Sequence, residues 1–233
     1  MQSATYTQRR GQLETYFDRT AAEAWSRLTS DAPVSGIRAT VRAGRNEMRS
    51  MLLSWLPDDL HGRRILDAGC GTGALAVEMA KRGADVVAID IAATLVNLAG
   101  DRMPANLGGG SIQFRVGDML DSSLGRFDHV VGMDSLIHYR ANDMASVVTQ
   151  LAAKAERSVL FTFAPQTPML TVMHAAGRLF PRGDRAPAIE PISPQKIGAL
   201  IAQAPGMAGW QSGRTHRVLT GFYKSQALEL VHA

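Results

Sequence analysis

Cysteine is all but absent from this 233-residue sequence. Cys70 stands alone, which excludes an intrachain disulfide framework. No Cys/His cluster has zinc-site spacing, so no metal centre is expected. No apolar run is long enough to span a bilayer. The stretch from Met1 to Arg10 is polar and lacks the apolar core of a signal peptide. A cytoplasmic protein with at most peripheral membrane contact is the expectation. The net charge is +4, but the arginines fall singly or in pairs, without a basic run interleaved with aromatics. Nucleic acid is therefore not an expected partner. Repeats and low-complexity linkers are missing too. What remains, 45% hydrophobic and 20% charged residues, suits one soluble α/β domain with a small lid.

Three regions differ in character. Residues 1–60 read as a helical arm or lid. Leu13, Tyr16, Phe17 and Trp25 recur at helix-like spacing, as do Ile37, Val41, Met48, Leu52 and Trp55 after Pro33, until Pro57 ends the run. From residue 61 onward the pattern becomes that of a doubly wound, Rossmann-like core. Strands are expected at Arg64–Asp67, Asp85–Asp90, Ile112–Val116, Phe127–Met133 and Ser158–Phe163. Helices are expected at Ala74–Lys81, Ala92–Met103 and near Met144–Glu156. Near-continuous apolar strands alternating with helices signal a parallel sheet covered on both faces. Prolines then crowd the stretch after Pro165, read as a cover over the strand ends across 165–195, with a helix at Met169–Leu179. Trp210–Arg217 and Val218–Val231 read as two late strands at the sheet edge.

Asp67-Ala68-Gly69-Cys70-Gly71-Thr72-Gly73 joins the first strand to the next helix, where open α/β sheets bind ligands. A glycine turn alone is weak evidence. Gly69, Gly71 and Ala74 would satisfy a loose dinucleotide fingerprint and leave a nicotinamide-dependent oxidoreductase as an alternative. Three acids favour S-adenosylmethionine. Asp67, at the loop's mouth, would repel a pyrophosphate but suits an ammonium and a sulfonium. Asp90 ends the second strand, where an acid accepts from both ribose hydroxyls. Gly117-Asp118-Met119 ends the third, where an acid accepts from an adenine amino group. Ile91 and Asp134 complete the expected cofactor set. Cys70 fits the turn as a small residue, with no histidine near in sequence to activate it.

The fourth strand runs into Gly132-Met133-Asp134-Ser135-Leu136-Ile137-His138-Tyr139. The Asn/Asp-Pro-Pro-aromatic element of nucleobase amino-group methyltransferases is missing there. His138 and Tyr139 stand where they would touch a methyl acceptor.

Several stretches together resemble the magnesium-protoporphyrin IX O-methyltransferase family, within the class I S-adenosylmethionine-dependent methyltransferases. They are Tyr16-Phe17 with Trp25, ILDAGCGTG at 65–73, HVVGMDSLIHY at 129–139, FTFAPQTPML at 161–170, GRLFPRGDRAP at 177–187 and the closing TGFYKSQALELV. The resemblance implies methyl transfer from S-adenosylmethionine to one propionate of magnesium-protoporphyrin IX, in chlorophyll or bacteriochlorophyll synthesis. It also implies an N-terminal arm that closes over the cofactor, with Tyr16 and His138 as functional side chains. Contact with the large subunit of magnesium chelatase and a peripheral place at the photosynthetic membrane are implied as well. A flat macrocycle with two carboxylates needs an apolar slot and cations at its rim. Met169 and Met173, with Arg178, Arg182 and Arg185, are the expected providers. Another small-molecule O- or C-methyltransferase is the alternative.

Overall fold

Segments such as Val86–Ile89 and Ser158–Phe163 are buried along their whole length, which a strand achieves only when helices cover both faces of its sheet. The computed structural model describes residues 3–20, 25, 27–29, 33, 36–166 and 188–233. Seven strands form one sheet: β1 (Arg64–Ala68), β2 (Asp85–Asp90), β3 (Ser111–Val116), β4 (Phe127–Gly132), β5 (Ala155–Phe163), β6 (Trp210–Thr220) and β7 (Tyr223–His232). Their order is β3-β2-β1-β4-β5-β7-β6. The first five are parallel, and β7 inserts antiparallel between β5 and β6. The strand order reverses between β1 and β4, so a crevice opens at their C-terminal ends. This is the Rossmann-like architecture expected.

Six helices are described: α1 (Ala4–Thr15), α2 (Gly36–Trp55), α3 (Ala74–Lys81), α4 (Ala93–Asp101), α5 (Ala141–Ala152) and α6 (Pro194–Ala202). One face of the sheet gathers Leu66, Val130 and Phe161 with Val148 of α5, Ile197 of α6, and Tyr6 and Leu13 of α1. The other gathers Ile65, Val131 and Leu160 with Met48 and Leu52 of α2 and Met79 of α3. Gly44 of α2 lies so close to the edge hairpin that an added Cβ would come within 2.6 Å of the Tyr223 ring. Among the described residues, no helix is long and apolar enough to cross a membrane.

Several boundaries differ from the sequence reading. The helix expected near Met144–Glu156 is Ala141–Ala152, because Ala155 and Glu156 already belong to β5. The late hairpin turns at Gly221-Phe222, not between Arg217 and Val218. β6 is an edge strand, exposed almost throughout, so its alternation carries little signal. Helix α6 was not expected, although Ser193 caps it by accepting from Lys196 N–H and Pro194 opens it, a legible start signal. The expected helix Met169–Leu179 lies outside the described residues. The described end of the cover returns over the strand ends: Ile192 N–H donates to Ala164 O at 2.9 Å, and Glu190 N–H to Ile137 O at 2.9 Å.

The N-terminal arm divides in two. Helix α2 buries Met48 and Leu52 completely and is part of the core. Helix α1 buries only Tyr6 and Leu13 and is otherwise attached by polar groups. Ser3 and Thr5 hydroxyls donate to Asp143 at 2.6 and 2.8 Å, and Arg9 pairs with Glu190 at 3.2 Å. A π-helical turn, Tyr16–Thr20, follows, and its Asp18 accepts from Thr94 N–H at 2.7 Å. Segments held by few apolar contacts open at low free energy. Binding S-adenosylhomocysteine is accordingly expected to slow amide exchange over residues 4–20 while leaving α2 unchanged. Equal exchange across 4–20 with and without ligand would show a fixed helix, not a lid.

Candidate active site

The ends of β1, β2 and β4 open into one cavity of about 520 Å³. Its floor is the glycine loop. A Cβ on Gly69 would lie 2.3 Å from Cβ of Ser135, so only glycine lets the loop abut the turn after β4. At Gly71, with φ +53°, the same atom would meet open space, so a ligand can reach the backbone there.

The two acids at this floor differ. Asp90 Oδ2 accepts from Gly71 N–H and Oδ1 from Ala92 N–H, both at 2.9 Å. Burial raises its pKa, and these backbone donors oppose the rise. Each oxygen keeps accepting capacity for a hydroxyl. Asp67 is 1% exposed, and its Oδ2 has no partner among the described residues. Burial, then the neighbouring Asp90, push it up to about 7, against a hydrogen bond from Ala76 N–H. Ser135 Oγ nearby is likewise buried without a partner. Buried polar atoms are almost always satisfied, so this pair calls for a donor from a ligand. The ammonium of S-adenosylmethionine fits both. Gly117, Met119, Ile91 and Leu95 line the same cavity and are of a character an adenine ring would fit.

Asp118, expected there, stands outside the cavity wall. Its Oδ1 accepts from Tyr6 OH at 2.8 Å and Leu120 N–H at 2.9 Å, and its Oδ2 pairs with Arg10 at 2.6 Å. Burial raises the Tyr6 phenol, which stays protonated and keeps donating. An adenine amino group would have to share this carboxylate with α1.

Asp134, just after β4, is in the left-handed region at φ +57°. Its N–H donates to Thr162 Oγ1 at 2.7 Å. Its carboxylate pairs with Arg45 at 2.5 Å and accepts from Tyr223 OH at 2.9 Å. It faces the cavity, but its oxygens are engaged by the protein.

On the acceptor side, His138 is buried, and its Nδ1 lies 3.2 Å from Ala188 O. A carbonyl oxygen only accepts, so Nδ1 carries the proton. The Phe17 ring sits 5.8 Å from His138 and 5.7 Å from Trp25, and Tyr16 packs edge-on against Phe17. Burial raises the Tyr16 phenol. Tyr139 stacks on Tyr6 at 5.0 Å, forming a wall between the two halves. The expected contributors Met169, Met173, Arg178, Arg182 and Arg185 lie outside the described residues. Sequence reasoning missed Tyr6, Ser135, Tyr223 and a basic wall on α2. Arg42, Arg45 and Arg49 all line the cavity, and their spacing of three and four was the available signal.

Two outcomes are expected from this geometry. Asp90→Ala should weaken S-adenosylhomocysteine binding by about 1.5–3 kcal/mol, the range for hydrogen bonds to a charged group; unchanged affinity by calorimetry would remove Asp90 from the site. Asp67 gives a pH dependence. Its pKa is raised on folding, so the ligand-free protein loses stability as pH rises from about 4 to about 7. A ligand ammonium favours the ionised form, so S-adenosylhomocysteine should bind more tightly at pH 8 than at pH 6. 5′-Methylthioadenosine, which has no ammonium, should not show that gain.

The comparisons with known proteins cover both halves of this site. A family model for the magnesium-protoporphyrin IX methyltransferase C-terminus matches residues 132–232, and a general methyltransferase-domain model matches residues 65–156. Magnesium-protoporphyrin O-methyltransferase of Rhodobacter capsulatus is 48% identical over 225 residues, spanning 96% of this chain and 97% of that protein. The Synechocystis protein of the same name is 32% identical over 220 residues, 94% of each chain. The crystal structure of magnesium protoporphyrin IX methyltransferase from Synechocystis with bound S-adenosylhomocysteine superposes with a TM-score of 0.83. The sequences are 30% identical there, over 96% of this chain and 99% of that one. Likeness that runs from the arm through the sheet to the closing hairpin is not a matter of shared fold alone, and the chain belongs to the magnesium-protoporphyrin O-methyltransferase family.

Proposed function

We infer that this protein transfers the methyl group of S-adenosylmethionine to a propionate of magnesium-protoporphyrin IX, giving the monomethyl ester. The observation that carries the reading is that Asp67, a buried acid whose Oδ2 has no partner among the described residues, and His138 of the family's LIHY element line one cavity.

S-adenosylmethionine supplies an electrophilic sulfonium methyl, which in-line attack by a carboxylate oxygen converts to an ester, the S–CH3 bond breaking as the O–CH3 bond forms. A propionate with an unperturbed pKa of about 4–5 is already ionised at neutral pH, so no residue has to remove a proton from it. What the chain does is hold and exclude. Asp67 and Ser135 take the ammonium end, and Asp90 the ribose. Tyr16, Phe17 and Trp25 roof the cavity and displace water from the nucleophile. His138 holds the propionate beside the methyl. Alignment of this kind is worth up to about 7–11 kcal/mol in well-oriented cases.

We further propose the finer associations that the resemblance implies: contact with the large subunit of magnesium chelatase and a peripheral place at the photosynthetic membrane. Exposed Ile37 and Phe222 support the latter as apolar residues available to a membrane surface.

Incubation with magnesium-protoporphyrin and methyl-labelled S-adenosylmethionine, followed by chromatography, should yield labelled monomethyl ester; label in a quinone or phenol but not in the porphyrin would overturn the assignment. The geometry of His138 sharpens a second test. With Nδ1 donating to Ala188, a second N–H for the propionate requires the imidazolium. His138→Ala is expected to lose far more turnover than cofactor affinity, and His138→Gln to retain more activity than Ala. The wild-type rate should fall as His138 deprotonates. A rate that instead rises through about pH 6–7, with Gln and Ala equally inactive, would make the histidine a base.

A further inference from the structure

Three arginines of α2 line the cavity, and two of them are committed. Arg42 donates to the carbonyls of Leu28 at 3.0 Å and Arg27 at 2.7 Å. Arg45 pairs with Asp134 on one side and lies over the Trp25 ring at 4.8 Å on the other. Arg49 differs. Its hydrogen bond within the described residues goes to the neutral Asn46 Oδ1, at 3.0 Å. No carboxylate stands within salt-bridge reach of it there. Glu78 of α3 acts on it only at longer range and is itself paired with Lys81 at 2.9 Å.

A guanidinium has five donors in a planar fork matched to a carboxylate. Leaving one half-buried, on a cavity wall and beside a second arginine, is unfavourable without an anion. Burial, and then the charge of Arg45, lower the Arg49 pKa, which is the signature of a cation short of counter-charge.

We propose that Arg49 is a carboxylate-binding residue of this cavity. The proposal rests on the methyl transfer inferred above, which brings two unreactive carboxylates into this space: the methionine carboxylate of the cofactor and the propionate that is not methylated. Both present the same chemistry to Arg49. Arg49 shares the cavity with Cys70, Gly71 and Thr72 of the glycine loop.

The test uses Arg49→Gln and Arg49→Lys in the full chain, with four ligands measured at equilibrium. S-adenosylhomocysteine is compared with 5′-methylthioadenosine, which keeps the adenosine and sulfur but lacks the carboxylate. Magnesium-protoporphyrin is compared with its dimethyl ester. For Arg49→Gln we expect a loss of about tenfold to a hundredfold, the usual worth of a charge-assisted hydrogen bond, confined to the carboxylate-bearing member of one pair. Loss for S-adenosylhomocysteine alone identifies the methionine carboxylate; loss for the free porphyrin alone identifies the propionate. Arg49→Lys, which keeps the charge, should recover part of either. Affinities unchanged from wild type for all four ligands, or parallel losses for a carboxylate ligand and its carboxylate-free partner, would overturn the proposal. Wild-type protein run alongside in the ester assay separates the two readings: absent ester overturns the reaction, while the paired affinities still report on Arg49.

Discussion

The far wall of the cavity hangs on one carboxylate in an unfavourable backbone conformation. Among the described residues, Asp134 is the only non-glycine at positive φ. Such a residue costs of order 1–3 kcal/mol unless its surroundings fix it, although aspartate tolerates the left-handed region better than most. Here the fixing groups come from three elements: Arg45 of α2, Thr162 of β5 and Tyr223 of β7. Tyr223 reaches the carboxylate only because α2 has glycine at position 44. Asp134 supplies the counter-charge to Arg45, which lies over the Trp25 ring. Once Asp134 is placed, so are the Ser135 hydroxyl facing the glycine loop and the course of the chain toward His138. A carboxylate read from sequence as a cofactor ligand thus also bonds to Arg45, Tyr223 and Thr162 of the protein.

The charges of the cavity are sorted by side. Asp67 and Asp90 lie on the sheet side, both with pKa values raised first by burial, so both are short of positive charge. Arg45 and Arg49 lie on the α2 side, and only the first has an acid beside it. Low-dielectric walls strengthen such a field relative to water. A cavity that lacks cations at one wall and anions at the other suits a ligand pair of the same polarity: an ammonium and a sulfonium near the acids, carboxylates near the arginines. A pyrophosphate placed on the glycine loop would set its charge against Asp67, which removes the dinucleotide alternative on physical grounds as well as by family.

The cofactor half of the site was legible because it is made by the sheet. Parallel strands announce themselves as short apolar runs, and their C-terminal ends, where Asp67, Asp90 and Met119 sit, follow from the topology. The misplaced features share a cause. Strand β6 is exposed on both sides and offers no alternation to read. The two oxygens of Asp118 bind Tyr6 and Arg10, more than a hundred residues away, and no local pattern reveals such a partner. The cavity-facing arginines of α2, Arg42, Arg45 and Arg49, form no contiguous basic run, because a helix brings spacings of three and four to one side. Helix α6 is readable from Ser193-Pro194, a capped start that follows a proline-rich stretch with the composition of a loop.

The acceptor half obeys a different logic. His138 leaves the sheet just after β4, yet its surroundings come from the two ends of the chain's excursions: Phe17 from the arm on one side and Ala188 from the returning segment on the other. Polar contacts attach them to the core, Asp18 to Thr94 and Glu190 N–H to Ile137 O. Arg9 and Glu190 join the two segments to each other, so displacing either disturbs the other. A reaction whose nucleophile is already ionised places no demand on a proton acceptor, and the barrier is then governed by how well water is excluded and how well two groups are aligned. Those are tasks for segments that can part to admit a large flat substrate and close again. The division of this chain suits that chemistry: the sheet carries the glycine loop with Asp67 and Asp90, while the Tyr16–Thr20 turn and the segment from Ala188 gather around His138.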